Sequence, residues 1–214
     1  MLKGAIFDMD GLMFDTERIY RDTWVLLAGV YKVPHDPAFP KAVCGTSGDH
    51  MLEVIRSYYP TADAEAFRDD CLRIVDETVQ KEVPVKKGLF TILEGLKACG
   101  VKMAVASSSK PDLIRRNLKN AGVDQFFDAG VSGTEIEHGK PAPDIFLLAA
   151  KEIGIAPEEC YVFEDSINGI RAGVAAGCRS YMIPDLTEPT DEMREICSGI
   201  YEDLDAAWQV ISQE

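Results

Sequence analysis

The 214-residue chain has no long hydrophobic run, no closely paired cysteines and few basic residues, and each lack removes a class of protein. No stretch approaches the roughly 20 apolar residues of a membrane-crossing helix. The first residues bring Lys3 and a short apolar run straight into Asp8, without the hydrophobic region and small-residue cleavage site of a signal peptide, so the expected location is cytoplasmic. Lys and Arg number 22 against 36 Asp and Glu, a formal net charge of -14, which leaves no basic stripe to displace the counterions of a nucleic acid. Cys44, Cys71, Cys99, Cys160, Cys178 and Cys197 are scattered without a C-x-x-C pair, so they read as reduced filler, not a zinc site or a disulfide framework. Repeats and low-complexity tracts are absent as well. What remains, 46% hydrophobic and 27% charged, suits one large domain or a core with a smaller companion.

Against that background Lys3 to Thr16, KGAIFDMDGLMFDT, stands out. Gly4, Ala5, Ile6 and Phe7 form an unbroken apolar run, the pattern of a strand buried on both faces, and Asp8 and Asp10 follow at its carboxyl end. Open parallel sheets carry their active sites there. Two carboxylates so close repel one another and lose hydration when buried, which disfavours a purely structural role. Gly11 lets the chain leave the strand sharply.

Residues 17–82 read as helices with no strand signal. The segments are Glu17 to Ala28, with Tyr20, Trp24, Leu27 and Ala28 on one face, then Met51 to Tyr59, then Glu65 to Gln80 with Phe67, Cys71, Ile74 and Thr78 in register. Pro34, Pro37 and Pro40 follow the first, and 43–50 reads as a loop. From Val83 helices and strands alternate. A helix through Leu89, Ile92, Leu93 and Leu96 precedes a strand at Met103 to Ala106, a helix at Leu113 to Leu118 and a strand at Ala129 to Val131. A helix from Pro143, a strand at Tyr161 to Phe163, a helix closed by Gly177 and a strand at Ser180 to Ile183 complete the rhythm. Such alternation means an α/β fold with a doubly wound parallel sheet. The expected organisation is a Rossmann-like core from 1–16 and 83–214 with a small α-helical cap domain inserted at 17–82. An insertion after the first strand stands where a lid belongs.

Three later stretches leave polar groups at strand ends. AVASSSKPD puts Ser107 where Asp8 sits on its own strand; Ser109 with Asp112 three residues on has the form of a capping box, and a helix start also binds phosphate. Ser107 and Ser108 are therefore phosphate-binding candidates, with capping and turning as the alternative for Ser108 and Ser109. EHGKPAPD presents Lys140, which gains weight only in company, since a lone lysine in a Gly/Pro loop is ordinarily solvated. YVFEDSINGI ends a strand in Glu164 and Asp165, acids that could also serve a helix dipole. Four acids, Asp8, Asp10, Glu164 and Asp165, thus face one lysine and a hydroxyl. A hard divalent ion with oxygen ligands supplies the missing charge, and Mg2+ is usual where the substrate brings phosphate.

Taken in order, DMDGLMFDT, VASSSK, HGKPAPDIF and FEDSINGIRAGVAAG resemble the four motifs of the haloacid dehalogenase-like (HAD) hydrolase superfamily, in the branch of β-phosphoglucomutases and small-molecule phosphatases. FDMDGL, DTERIY, HGKPAPDIF and VFEDSINGI are especially similar to pseudouridine-5'-phosphatase-like members and to many bacterial phosphatases of unassigned substrate. The resemblance implies a phosphoric monoester hydrolase. Asp8 would be the nucleophile, forming an aspartyl-phosphate, and Asp10 the general acid and base. Asp8, Asp165, the Asp10 carbonyl and Glu164, in or near the metal's shell, would hold Mg2+. Ser107, Ser108 and Lys140 would bind the phosphoryl oxygens. The implied partner is a small phosphorylated metabolite, a sugar phosphate or nucleotide-like compound, with a monomer as the default expectation.

Departures from that pattern bear on substrate. β-Phosphoglucomutases carry His, Lys and Arg at the positions of Tyr20, Cys44 and Gly48, and here the loop VCGTSGDH has no cation but His50, which weakens a mutase reading. Lys87 replaces a proline common in relatives. Superfamily dehalogenases lack the second acid that Asp10 supplies. A receiver-like signalling module also combines acids, a hydroxyl and a lysine, but it is about 120 residues long with its acceptor on a later strand. A non-catalytic binding protein on this fold is a third alternative.

Overall fold

The computed structural model describes residues 1–43, 46 and 48–213. Cys44, one of the positions weighed against a mutase, lies outside the described residues, as do Gly45, Ser47 and Glu214. The chain forms two compact units, Met1–Asp15 with Pro84–Glu214, and Thr16–Val83.

The first unit is built on a six-stranded parallel sheet with strands β1 (Gly4–Phe7), β2 (Lys102–Ser107), β3 (Ala129–Ser132), β4 (Cys160–Glu164), β5 (Arg179–Met182) and β6 (Gly199–Ile200) in the order β3-β2-β1-β4-β5-β6. The order reverses at β1, which pairs with β2 on one side and β4 on the other, and a doubly wound sheet binds its ligand at that reversal. Register pairs Phe7 with both Val105 and Phe163, so Asp8 emerges level with Ala106 and Glu164. Alternation sorts the strand residues between two faces. Ile6, Ala104, Ala106, Val131, Cys160 and Val162 pack with Ile145, Phe146, Ala149, Ala150 and Ile153. On the other face Phe127, Phe7, Phe163, Tyr181 and Tyr201 form an aromatic row with centroids 4.8 to 5.9 Å apart. Burying so many apolar side chains at once is what orders the strand ends.

The second unit is helical: α1 (Thr16–Val30), α2 (Phe39–Val43), α3 (Gly48–Tyr58) and α4 (Ala64–Lys81). Its centre is aromatic, with Trp24 stacked on Phe67 at 5.7 Å and Phe39 edge-on to Trp24 at 5.3 Å. Trp24 is thus a core residue. On α4 the buried stripe runs Phe67, Cys71, Val75, Val79 instead of turning through Ile74 and Thr78, whose hydroxyl bonds back to the Ile74 carbonyl at 2.8 Å. The short α2, hidden among prolines, was not legible, and α3 begins three residues before Met51.

The remaining helices are α5 (Leu89–Ala98), α6 (Pro111–Asn120), α7 (Asp144–Ile153), α8 (Ile167–Ala175), α9 (Asp191–Ile196) and α10 (Leu204–Ile211). The rhythm read from the sequence stopped at Ile183; β6, α9 and α10 extend it. Thr190 and Asp203 cap the two added helices by accepting from Met193 N and Ala206 N. Among the described residues no helix is long and apolar enough to cross a membrane. Cys71, Cys160 and Cys178 are buried free thiols; burial pushes the Cys160 thiol up to about 11 and that of Cys178 up to about 12, which keeps both in the unreactive form.

Candidate active site

Three strand ends and one loop converge in the first unit. Asp8 continues β1, and its N–H donates to the Phe163 carbonyl at 3.0 Å, which carries the ladder one step past the last strand residue. From the loop before α7, Lys140 Nζ donates to Asp8 Oδ1 at 2.5 Å and to Glu164 Oε1 at 2.6 Å, with the Ala106 carbonyl at 3.3 Å. The Phe146 ring lies 5.1 Å from the ammonium. The second oxygen of Glu164 accepts from Ser166 N at 2.8 Å and Ser166 Oγ at 2.9 Å. Ser166 is also the N-cap of α8, accepting from Gly169 N. Gly169 has to be a glycine, because a Cβ there would collide with the Glu164 carboxylate.

Asp165 completes the cluster: one carboxylate oxygen from each of Asp8, Glu164 and Asp165 lies within 4.8 Å of the others. Gly11, at φ +89°, makes room for it, since a Cβ would lie 2.5 Å from Asp165 Oδ2. Crowding shows in the proton affinities. Burial pushes Asp8 up to about 7 against the pull of Lys140, with Glu164 and Asp10 adding to the rise. Burial, then Asp8 and Glu164, push Asp165 up to about 9. Burial alone would lower Lys140, but its two carboxylate partners outweigh that and hold the ammonium well above its ordinary value.

These observations test whether the residues suit a metal ion. The donors are all hard oxygens, they converge, and one ammonium cannot balance them, so they fit Mg2+. The three carboxylates differ, however. Both oxygens of Glu164 are already taken by Lys140 and Ser166, so a cation would bind more readily to Asp8 and Asp165.

On β2, Ser107 is buried and its Oγ accepts from Ser109 N at 3.0 Å. Ser108 is exposed, with its Cα only 3.0 Å from where a Cβ on Gly133 would stand. Ser109 does not cap the next helix as its spacing with Asp112 suggested: α6 starts at Pro111 with Lys110 as N-cap and no side-chain cap bond. Its hydroxyl is engaged elsewhere, donating to Asp10 Oδ2 at 2.9 Å. The geometry therefore gathers Asp8, Lys140, Glu164 and Asp165 into one cluster, and ties Ser107 through Ser109 to Asp10. Three participants went unread in the sequence: Ser109 as a partner of Asp10, Ser166 as a partner of Glu164, and the fully buried Ser132. The adjacency of Ser166 to two acids was the only local signal among them.

A doubly wound sheet that gathers carboxylates around a buried ammonium at its strand ends has the arrangement of α/β enzymes, which carry their ligands at the carboxyl edge. The chain belongs to the haloacid dehalogenase-like hydrolase family, whose model matches residues 5–183. It is 33% identical over 191 residues to a probable pseudouridine-5'-phosphatase of Drosophila melanogaster, covering 85% of this chain and 81% of that protein. It is 31% identical over 176 residues to a fructose-1-phosphate phosphatase of Escherichia coli K12, covering 81% and 92%. The crystal structure of a putative β-phosphoglucomutase from Thermotoga maritima shares the fold with a TM-score of 0.86, at 24% identity and 99% coverage of both chains. The protein is a phosphoric monoester hydrolase.

Proposed function

We propose that this hydrolase is a cytoplasmic, Mg2+-dependent phosphatase of a small phosphorylated metabolite, a sugar phosphate or nucleotide-like compound, working through an aspartyl-phosphate on Asp8. The observation that carries the reading is the buried chain Asp8–Lys140–Glu164 with Asp10 beside it. Lys140 holds one oxygen of Asp8 and leaves the other to attack phosphorus. Asp10 gives its proton to the departing alkoxide as the Asp8–phosphorus bond forms, and then takes one from the water that cleaves that bond. Lys140 and the Ser107 and Ser108 segment offset the charge on the phosphoryl oxygens, and Glu164 keeps the ammonium in place. Asp8, Asp165 and the Asp10 carbonyl would hold Mg2+, with Glu164 outside or at the edge of its shell; when bound, the ion neutralises the carboxylates and polarises the phosphoryl group. The helical unit is proposed as the cap domain that sets substrate choice.

Removing the ion is the direct test. Excess EDTA should abolish turnover and added Mg2+ restore it, and Asp165→Ala should raise the Mg2+ concentration needed by roughly 100-fold, with a smaller rise for Glu164→Ala. Undiminished activity in EDTA would exclude the metal-dependent mechanism.

A mutase must keep water from its phospho-enzyme while a bisphosphate turns round, which calls for a cationic clamp. In the segment compared with mutases the one cation among the described residues is His50, exposed and facing Glu53 at 3.5 Å. Supplied with β-glucose 1-phosphate and a trace of the 1,6-bisphosphate, the enzyme is expected to release free phosphate faster than it forms glucose 6-phosphate. The opposite order would make it a mutase. A panel of sugar phosphates, nucleotides and pseudouridine 5'-phosphate, ranked by kcat/KM, identifies the substrate.

A further inference from the structure

The loop after β2 holds Ser109 by every polar group it has. Its N–H donates to Ser107 Oγ at 3.0 Å, and its carbonyl accepts from Ser132 Oγ at 2.7 Å. Ser132 ends β3 opposite Ser107, is fully buried, and is itself fixed: its Oγ accepts from Thr134 N at 3.1 Å and its N–H donates to Glu135 Oε2 at 2.7 Å. Gly133 N adds a bond to the Ser107 carbonyl at 2.8 Å. The ends of two neighbouring strands thereby lock the backbone of Ser109, and the remaining group, the hydroxyl, is delivered to Asp10 Oδ2 at 2.9 Å.

We infer that Ser109 is a positioning residue for Asp10, with Ser132 as its anchor. The inference rests on the reading of Asp10 as the acid and base. A hydroxyl that donates to Oδ2 fixes the rotation of the carboxyl group and with it the direction in which the carboxyl passes a proton. In the first step the phosphorus–oxygen bond to the leaving group breaks, the bond from Asp8 forms, and the proton of the Asp10 carboxyl goes to the departing oxygen. In the second, water adds to phosphorus, the Asp8 bond breaks, and the Asp10 carboxylate takes the water proton. Proton transfer is steep in distance and angle, so a carboxyl free to rotate loses rate without losing substrate.

The test compares leaving groups. 4-Nitrophenolate departs without a proton, whereas a primary alkoxide needs one, and kcat/KM reads the first irreversible step, in which the leaving group departs. Ser109→Ala should lower kcat/KM for an alkyl monophosphate about tenfold more than for 4-nitrophenyl phosphate, and Ser109→Thr, which keeps the hydroxyl, should recover most of that ratio. On an Asp10→Asn background Ser109→Ala should leave the ratio unchanged. Equal losses on both substrates, or none on either, overturn the inference, because a binding or folding role does not distinguish leaving groups. Should Ser109→Ala fail to fold, Ser109→Cys, close in size and a weaker donor, reads the same ratio. Asp8→Asn is assayed alongside: activity retained there removes the phosphatase mechanism itself, whereas a flat ratio with Asp8→Asn inactive removes only the role of Ser109.

Discussion

Asp8→Asn is expected to abolish phosphate release, by roughly 10⁴-fold or more, while leaving the fold intact. The amide cannot attack phosphorus, and two neighbouring acids are held differently: Glu164 has both oxygens engaged, and Asp10 is tied to Ser109. The same variant should be more stable than the parent when metal is removed. Asp8 has a folded-state pKa raised from 3.8 to about 7, so the parent's stability from this group is complete below pH 3.8 and is lost as pH rises through about 7. A neutral asparagine escapes that loss, for a gain on the order of 3 kcal/mol at pH 8 and little at pH 4. Thermal melts in EDTA at the two pH values, with phosphate release in Mg2+, check both halves. Activity within tenfold of the parent would remove Asp8 as the nucleophile.

Lys140→Met should be the most damaging change to stability in the site. Its ammonium is the hydrogen-bonding partner of Asp8 and Glu164, whose side chains are 11% and 1% exposed. Deleting one member of a buried ion cluster leaves the others uncompensated, which costs about 3–5 kcal/mol. Lys140 has a folded-state pKa raised above 10.5, so its contribution is fully present below pH 10.5 and disappears only above the raised value. The penalty should nonetheless be larger at pH 8 than at pH 4, because Asp8, one of the two partners of the ammonium, takes up a proton as pH falls through about 7. Urea unfolding in EDTA at both pH values measures it; a penalty independent of pH would mean the lysine acts through packing alone. Activity should fall at least about 100-fold, since the phosphoryl oxygens lose their cation.

Much of this enzyme was legible without coordinates. Gly4 to Phe7 announces a buried strand by four apolar residues in succession, and its observed bounds are Gly4–Phe7. The helices around Leu89 and Leu113 declare themselves by spacing, because burial of one face imposes a period of 3.6 on any helix. Where the local signal was thin the reading failed: α2 is five residues among prolines, and β6 is two residues long. Ser109 shows a different failure. Its spacing with Asp112 has the pattern of a local cap, yet the hydroxyl bonds to a residue 99 positions away.

The sequence by itself determined the doubly wound architecture and the kinds of side chain at each strand end, because both follow from short-range periodicity and from the cost of burying an acid without a partner. Tertiary structure alone decided who partners whom. Lys140 reaches Asp8 across 132 positions and divides itself between that residue and Glu164; Ser166 claims the other oxygen of Glu164; Ser132 and Ser107 aim Ser109 at Asp10. Hydrogen bonds depend on distances of a few tenths of an ångström, and those are set by the register of β1 against β2 and β4 and by the packing beneath them, which local spacing does not carry.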